Sequence, residues 1–122
     1  MIEIKNLTKS TDIVSLLPGI LGVPGVSGIP VGSDMPMGID LIEMLPDTAF
    51  PMHTHPGAHI LYVLSGQGTV TIDSETYPTR PGDCYFVPAD IPHSVGAHSE
   101  HRVLAIGFPH KKLRDRERMA EI

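Results

Sequence analysis

The stretch His53–Gly68 reads HTHPGAHILYVLSGQG, and the placement of its histidines decides how the chain is read. In an extended strand, residues two apart share a face, so His53 and His55 point the same way. His59 has the same parity, but the Pro56–Gly57 bend lies between, so parity alone leaves its direction open. The three imidazoles converge only if the strand curls back on itself, as it does in a closed or sandwiched sheet. Imidazole suits zinc, copper, iron and nickel, and it binds in the neutral form that dominates at pH 7. A dry cluster of imidazoles without a metal is costly to desolvate and repels itself once protonated. The competing reading is a set of polar residues near loops that never meet.

Working outward, the β-run HILYVLS (59–65) leads into the tight turn GQG (66–68), and TVTID (69–73) pairs back as its hairpin partner. Upstream, IDLIEML (39–45) reads as a strand ended by Pro46–Asp47. Downstream come a turn PTRPGD (78–83), a strand CYFVP (84–88), a loop ADIP (89–92), and the strands HSVGA (93–97) and HRVLAIGF (101–108). Strands recurring about every ten residues with turn signals between them imply an all-β sandwich or barrel over residues 39–109. Residues 1–38 form an N-terminal arm of the same domain. Within it Asp12 caps a short helical turn that Pro18–Gly19 ends. The Gly- and Pro-rich segment 18–38 is an extended arm or edge strand covering a core or a neighbouring subunit, with a lid over a pocket as the alternative. Residues 110–122 carry five basic and three acidic side chains among good helix formers, and read as a short C-terminal surface helix.

At 122 residues the chain is one domain, long enough to bury a core without a metal or disulfide to staple it, so a metal here is functional. A net charge of −5 weighs against nucleic acid. A single cysteine, Cys84, excludes an internal disulfide. No apolar run approaches the ~20 residues of a membrane span, and the N-terminus shows no signal-peptide pattern. The expectation is a cytoplasmic protein with no nucleic-acid or membrane partner.

The segment 53–68 resembles the first motif of the cupin superfamily: two histidines one residue apart, an acidic residue three or four further on, and a glycine after six more. Here His59 stands where the glutamate usually is, and Gly66 holds the glycine position. The run PGDCYFVPADIPH (81–93) resembles the second motif, with Gly82, Pro88 and the ligand histidine His93 in place. Three positions depart from the pattern. Asp47 replaces the glycine that opens the first motif, and in the second Asp90 and Ala97 replace a glycine and an asparagine. The resemblance implies a double-stranded β-helix, or jelly-roll cupin barrel, and a homodimer. It also implies a divalent transition metal held by His53, His55, His59 and His93. Four neutral histidines leave the ion its full +2 charge, which favours reduced manganese or iron, with zinc or nickel as alternatives.

The functional expectation is a manganese- or iron-dependent, dioxygenase-like enzyme acting on a small oxygen-rich organic substrate. A redox-neutral zinc or nickel cyclase, isomerase or lyase, or a non-catalytic metal- or ligand-binding protein, are the alternatives. The catalytic acid or base is unassigned. His98, His101 and His110 read as solvated residues, and Cys84 as a small buried hydrophobe. Met44, Met52, Tyr85 and Phe108 read as core packing or pocket wall.

Overall fold

A computed structural model describes residues 14–15, 24–34, 36–108 and 120–121. Among these, all regular structure is β. Eleven strands follow in chain order: β1 (Val14–Ser15), β2 (Val26–Asp34), β3 (Met37–Met44), β4 (His53–Thr54), β5 (Ala58–Ser65), β6 (Gly68–Ile72), β7 (Glu75–Thr79), β8 (Cys84–Val87), β9 (His93–Ala97), β10 (His101–Phe108) and β11 (Ala120–Glu121). They form a six-stranded sheet in the order β1-β2-β3-β10-β5-β8 and a five-stranded sheet in the order β11-β4-β9-β6-β7. All pairings are antiparallel. No helix is long and apolar enough to cross a membrane among the described residues.

The alternation along each strand fixes which face turns inward. In β10, His101, Val103, Ala105 and Gly107 are buried, while the residues between them are more exposed. Val103 lies opposite Ile42 and Val63, and Ala105 opposite Leu61, so one buried row crosses three strands. Ile42, Leu61, Val103 and Ala105 make one core with Val70, Val87 and Val95. Period-two burial of this kind pins the register, because a one-residue slip would turn every core side chain outward.

Several expectations are corrected. The strand 59–65 and the strand 69–73 do not form a hairpin: β5 pairs with β10 and β8, and β6 with β9 and β7. The chain leaves one sheet and enters the other at Gly66, whose φ of 77° is open to glycine at little cost. A Cβ there would lie 1.9 Å from the Glu100 carbonyl oxygen, so the turn before β10 packs directly on this corner. Residues 75–79, with Pro78 and Thr79 expected in a turn, form β7 instead. It ends its sheet, where the N–H that proline lacks is not needed for a ladder. In agreement with the extended arm or edge strand expected over 18–38, Val26–Asp34 is a strand paired to β3, with a bulge between Pro30 and Gly32 that absorbs the proline. Val14–Ser15 is a strand on β2 rather than part of a helical turn. Ala120–Glu121 pairs with Thr54 and His53 as a strand, not as a helix end. The remainder of the expected C-terminal helix, with His110, lies outside the described residues.

The two aspartates that replace motif glycines have a local explanation. Asp47 and Asp90 both adopt φ of 61°. Aspartate is among the few residues with a side chain that tolerate the left-handed region, so the backbone shape of the motif survives the change.

Candidate metal centre

The site is assembled from both sheets. His53 on β4 sits directly opposite His93 on β9, a cross-strand pair with ring centroids 4.2 Å apart. His55 follows β4 on the loop that the Asp90 N–H ties down by donating to the His55 carbonyl at 2.9 Å. His59 comes from β5 in the opposite sheet, across from Val87 and Gly107. The ring of His59 lies 4.1 Å from that of His55. All four line one cavity of about 40 Å³ whose remaining wall is Ile42, Phe50, Leu61, Val95 and Ala105. No carboxylate belongs to that lining among the described residues.

His53, His55 and His93 are buried, and each offers a ligand nitrogen within 4.8 Å of the others. His59 lies outside that trio, beside His55 on the same cavity. The backbone sets the orientation of the three. Nδ1 of His53 lies 2.7 Å from the Pro51 carbonyl, that of His55 2.7 Å from the Gly57 carbonyl, and that of His93 2.8 Å from the Ile91 carbonyl. A carbonyl only accepts, so each Nδ1 carries the proton and donates it, which puts the lone pair that can ligate a metal on Nε2. Burial also pushes the His93 pKa below its ordinary value, against an opposing pull from the Ile91 carbonyl, and so favours the neutral, ligating form.

The consequence is a conflict that a cation resolves. Nε2 of His55 and Nε2 of His93 lie 3.1 Å apart. With both protons on Nδ1, two lone pairs face each other at that distance with no hydrogen between them. Two nitrogens each about 2.1 Å from a common ion sit at about this separation. The cluster fits a divalent metal site.

Other expectations are settled by the same geometry. His101 is fully buried, not solvated: its Nδ1 donates to the Ser65 carbonyl at 3.1 Å and its Nε2 has no partner among the described residues. It stands outside the cavity lining, and its parity with Val103 and Ala105 was the available signal. His98 is exposed, as read. Cys84 is exposed rather than buried, because it shares the outward parity of Phe86 on β8. Met44 is core. Met52 is half-buried and lies outside the cavity lining. Phe108 is exposed, neither core nor wall. Tyr85 packs against the core with its hydroxyl buried and unpartnered, which drives its pKa well above the ordinary phenol range. The aromatic wall is Phe50, an isolated residue between strands that no periodicity marks. Its N–H donates to the Val95 carbonyl, and its carbonyl accepts from Ser94 Oγ at 2.6 Å.

Comparison with known proteins follows the same lines. The cupin domain family model matches residues 40–107. This chain is a cupin. It is 38% identical over 64 residues to a quercetin 2,3-dioxygenase of Bacillus subtilis, a match covering 52% of the chain and 19% of that protein. The cupin spans between about a fifth and just over a third of the curated relatives it matches. Among solved structures, an RmlC-like cupin from Shewanella frigidimarina superposes with a TM-score of 0.70 at 19% identity, covering 72% of this chain and 79% of that one. Salicylate 1,2-dioxygenase from Pseudoaminobacter salicylatoxidans superposes with a TM-score of 0.66 at 23% identity, covering 70% of this chain and 26% of that one. At these identities the two structures establish the shared fold.

Proposed function

We propose that this cupin is a metal-dependent enzyme acting on a small oxygen-rich organic molecule, with His53, His55, His59 and His93 holding one divalent ion and manganese or iron giving dioxygenase-like chemistry. The observation that carries the reading is the pair of Nε2 lone pairs, on His55 and His93, held 3.1 Å apart by carbonyls behind each ring. The similarity to the quercetin dioxygenase over 64 residues supports the oxygenase direction. Bound there, a divalent ion supplies a Lewis acid that binds and polarises oxygen donors, and manganese or iron adds reactivity towards dioxygen.

The protein's own part is orientation and exclusion. Carbonyls of Pro51, Gly57 and Ile91 fix the tautomers and ring planes of three histidines. Ile42, Phe50, Leu61, Val95 and Ala105 keep the cavity apolar, which strengthens every electrostatic contact made inside it. With four neutral donors the ion would keep its +2 charge and attract an enolate, catecholate or carboxylate. A space of about 40 Å³ suits a small group entering beside the histidines, with the bulk of a larger substrate at the mouth.

One feature favours a second reading. No carboxylate belongs to the described lining, so the cavity wall itself offers no carboxylate base. That suits a cupin that binds metal and ligand without turnover, since a redox-neutral zinc or nickel cyclisation, isomerisation or elimination also needs a group to move protons. Turnover separates these. Protein stripped and reloaded with manganese, iron, zinc or nickel is assayed for oxygen uptake with diketones and catechols. Uptake with manganese or iron, lost in His93→Ala, is expected. Product without oxygen uptake would move the assignment to the redox-neutral class, and no turnover with any metal would leave a binding protein.

A further inference from the structure

The end of the barrel away from the histidines carries a second cavity. β6 runs from Gly68, opposite Ala97, to Ile72, opposite His93, so its Gly68 end points away from the metal centre. At that end the β5–β6 turn and the turn after β7 border a cleft of about 490 Å³, lined by Gln67, Pro78, Thr79, Arg80 and Asp83. Small-molecule sites usually measure roughly 300–1,000 Å³. The histidine cavity, by contrast, is about 40 Å³.

The cleft combines a fixed backbone with uncommitted side chains. The Asp83 N–H donates to the Arg80 carbonyl at 3.1 Å and the Arg80 N–H to Asp83 Oδ2 at 2.9 Å, closing the turn on itself. Val63 ties that turn to β5, donating to the Asp83 carbonyl and accepting from the Gly82 N–H. Gln67 is held as firmly: its N–H donates to Ser99 Oγ, and its carbonyl accepts from the His98 and Ser99 N–H groups. These bonds leave the side chains over. Among the described residues the Arg80 guanidinium and the Gln67 amide have no partner, and Arg80 and Asp83 form no ion pair although they share one turn. Thr79 is buried, and its hydroxyl is unpartnered as well. A rigid frame that holds a cation, a carboxylate and two neutral polar groups around one cleft, uncommitted to each other, is preorganised for a polar ligand.

We propose that this cleft binds a small zwitterion, an amino acid with free amino and carboxylate groups, independently of the metal. The charges select that class. Arg80 offers a planar pair of N–H donors to a carboxylate. Asp83 keeps Oδ1 for an ammonium, since its Oδ2 already accepts the Arg80 N–H. A bare anion would meet the Asp83 carboxylate and a bare cation the Arg80 guanidinium, each a like charge, whereas a zwitterion satisfies both. Gln67, which can donate and accept, and the Pro78 ring border the room left for the amino acid's side chain.

Heteronuclear NMR of the isotope-labelled full chain, with and without metal, tests this using three probes of matched size. L-Alanine carries both charged groups, ethylamine lacks the carboxylate, and propionate lacks the amine. Alanine should shift the backbone amides of Gln67, Thr79, Arg80 and Asp83 saturably, to the same extent in metal-loaded and metal-stripped protein. Each half-molecule should bind at least about tenfold more weakly, the loss of one charge-assisted contact. Arg80→Gln, at an exposed position, should weaken alanine binding by a similar factor. So should Asp83→Asn, whose side-chain carbonyl can still accept the Arg80 N–H. No saturable shift at these amides up to tens of millimolar alanine would overturn the proposal. So would propionate or ethylamine binding as tightly as alanine, or an unchanged affinity in Arg80→Gln. Should Asp83→Asn fail to fold, Arg80→Gln decides the matter alone.

Discussion

Replacing Gly66 by alanine adds one methyl group at the corner where the chain passes from one sheet to the other. Two costs follow from the geometry. With φ at 77°, an L side chain there loses about 1–2 kcal/mol to backbone strain. The added Cβ would also fall 1.9 Å from the Glu100 carbonyl oxygen and 2.9 Å from His101 Cα, and both of those atoms are backbone. Relieving such an overlap means moving the start of β10, with overpacking costs of about 1–3 kcal/mol. The sum is about 2–5 kcal/mol, or roughly 10–20 °C in Tm for a domain of this length. Gly82 is the control, since its φ is 92° but an added Cβ meets nothing within 4 Å. Gly82→Ala should cost only the strain, about 1–2 kcal/mol. Urea unfolding of the wild type and both variants gives the comparison. Equal losses at the two positions would refute the reasoning, because the contact between the corner and the turn before β10 would then have no energetic consequence.

Three further outcomes are expected. Asp90→Gly should stay within about 0.5 kcal/mol of wild type or gain stability, while Asp90→Val should lose about 1–2 kcal/mol, because valine resists the left-handed backbone that aspartate tolerates; thermal melts decide it. Burial holds the His101 pKa below its ordinary value of 6.5, against the Ser65 and Gly66 carbonyls. The unfolded chain therefore binds the proton more readily, so the stability tied to neutral His101 is intact above about pH 6.5 and is lost as pH falls through the lower folded value. In metal-free protein His93 shifts in the same direction, so the readout is a flatter pH dependence of Tm in His101→Phe than in wild type. A divalent ion at a hundred times its Kd should add about 2.7 kcal/mol, roughly 10 °C in Tm. His55→Ala should abolish that shift. His59→Ala, which removes one of the four proposed ligands, should weaken binding by more than about 10–100-fold, the loss that follows even when a group that only supports a ligand is removed, as calorimetric titration would show.

The strands that were legible in the sequence were those whose alternation and turn residues agree. β9 and β10 lie at their expected bounds, and β3, β5 and β6 within two residues of them. β3, β5, β6 and β10 each have a run of β-branched or aliphatic residues closed by Gly, Pro or Asp, so local preference and burial point the same way. Pairing was less legible. The Gly66–Gly68 turn reads as a hairpin locally, whereas β6 pairs with β9 and β7 in the other sheet and packs its corner against Glu100, 34 positions along the chain. β7 was hidden because its residues are polar and include Pro78, which an edge position permits. At the candidate site, the His-x-His spacing and the later His93 named the trio that the fold brings together. Their orientation was not legible, since it comes from carbonyls of Pro51, Gly57 and Ile91 that carry no side-chain signature. His101 could have been recognised as buried from its parity in β10, while Phe50 offered no pattern at all.

Whether the histidine cluster holds an ion is measured directly as metal content per chain. Untagged protein is stripped with chelator, reloaded with one divalent metal at a time, freed of excess by gel filtration, and analysed by inductively coupled plasma mass spectrometry. One ion per wild-type chain is expected, with none retained by His55→Ala or His93→Ala. A wild type that retains no ion after reloading with manganese, iron, zinc or nickel, or variants that retain as much as the wild type, would contradict it.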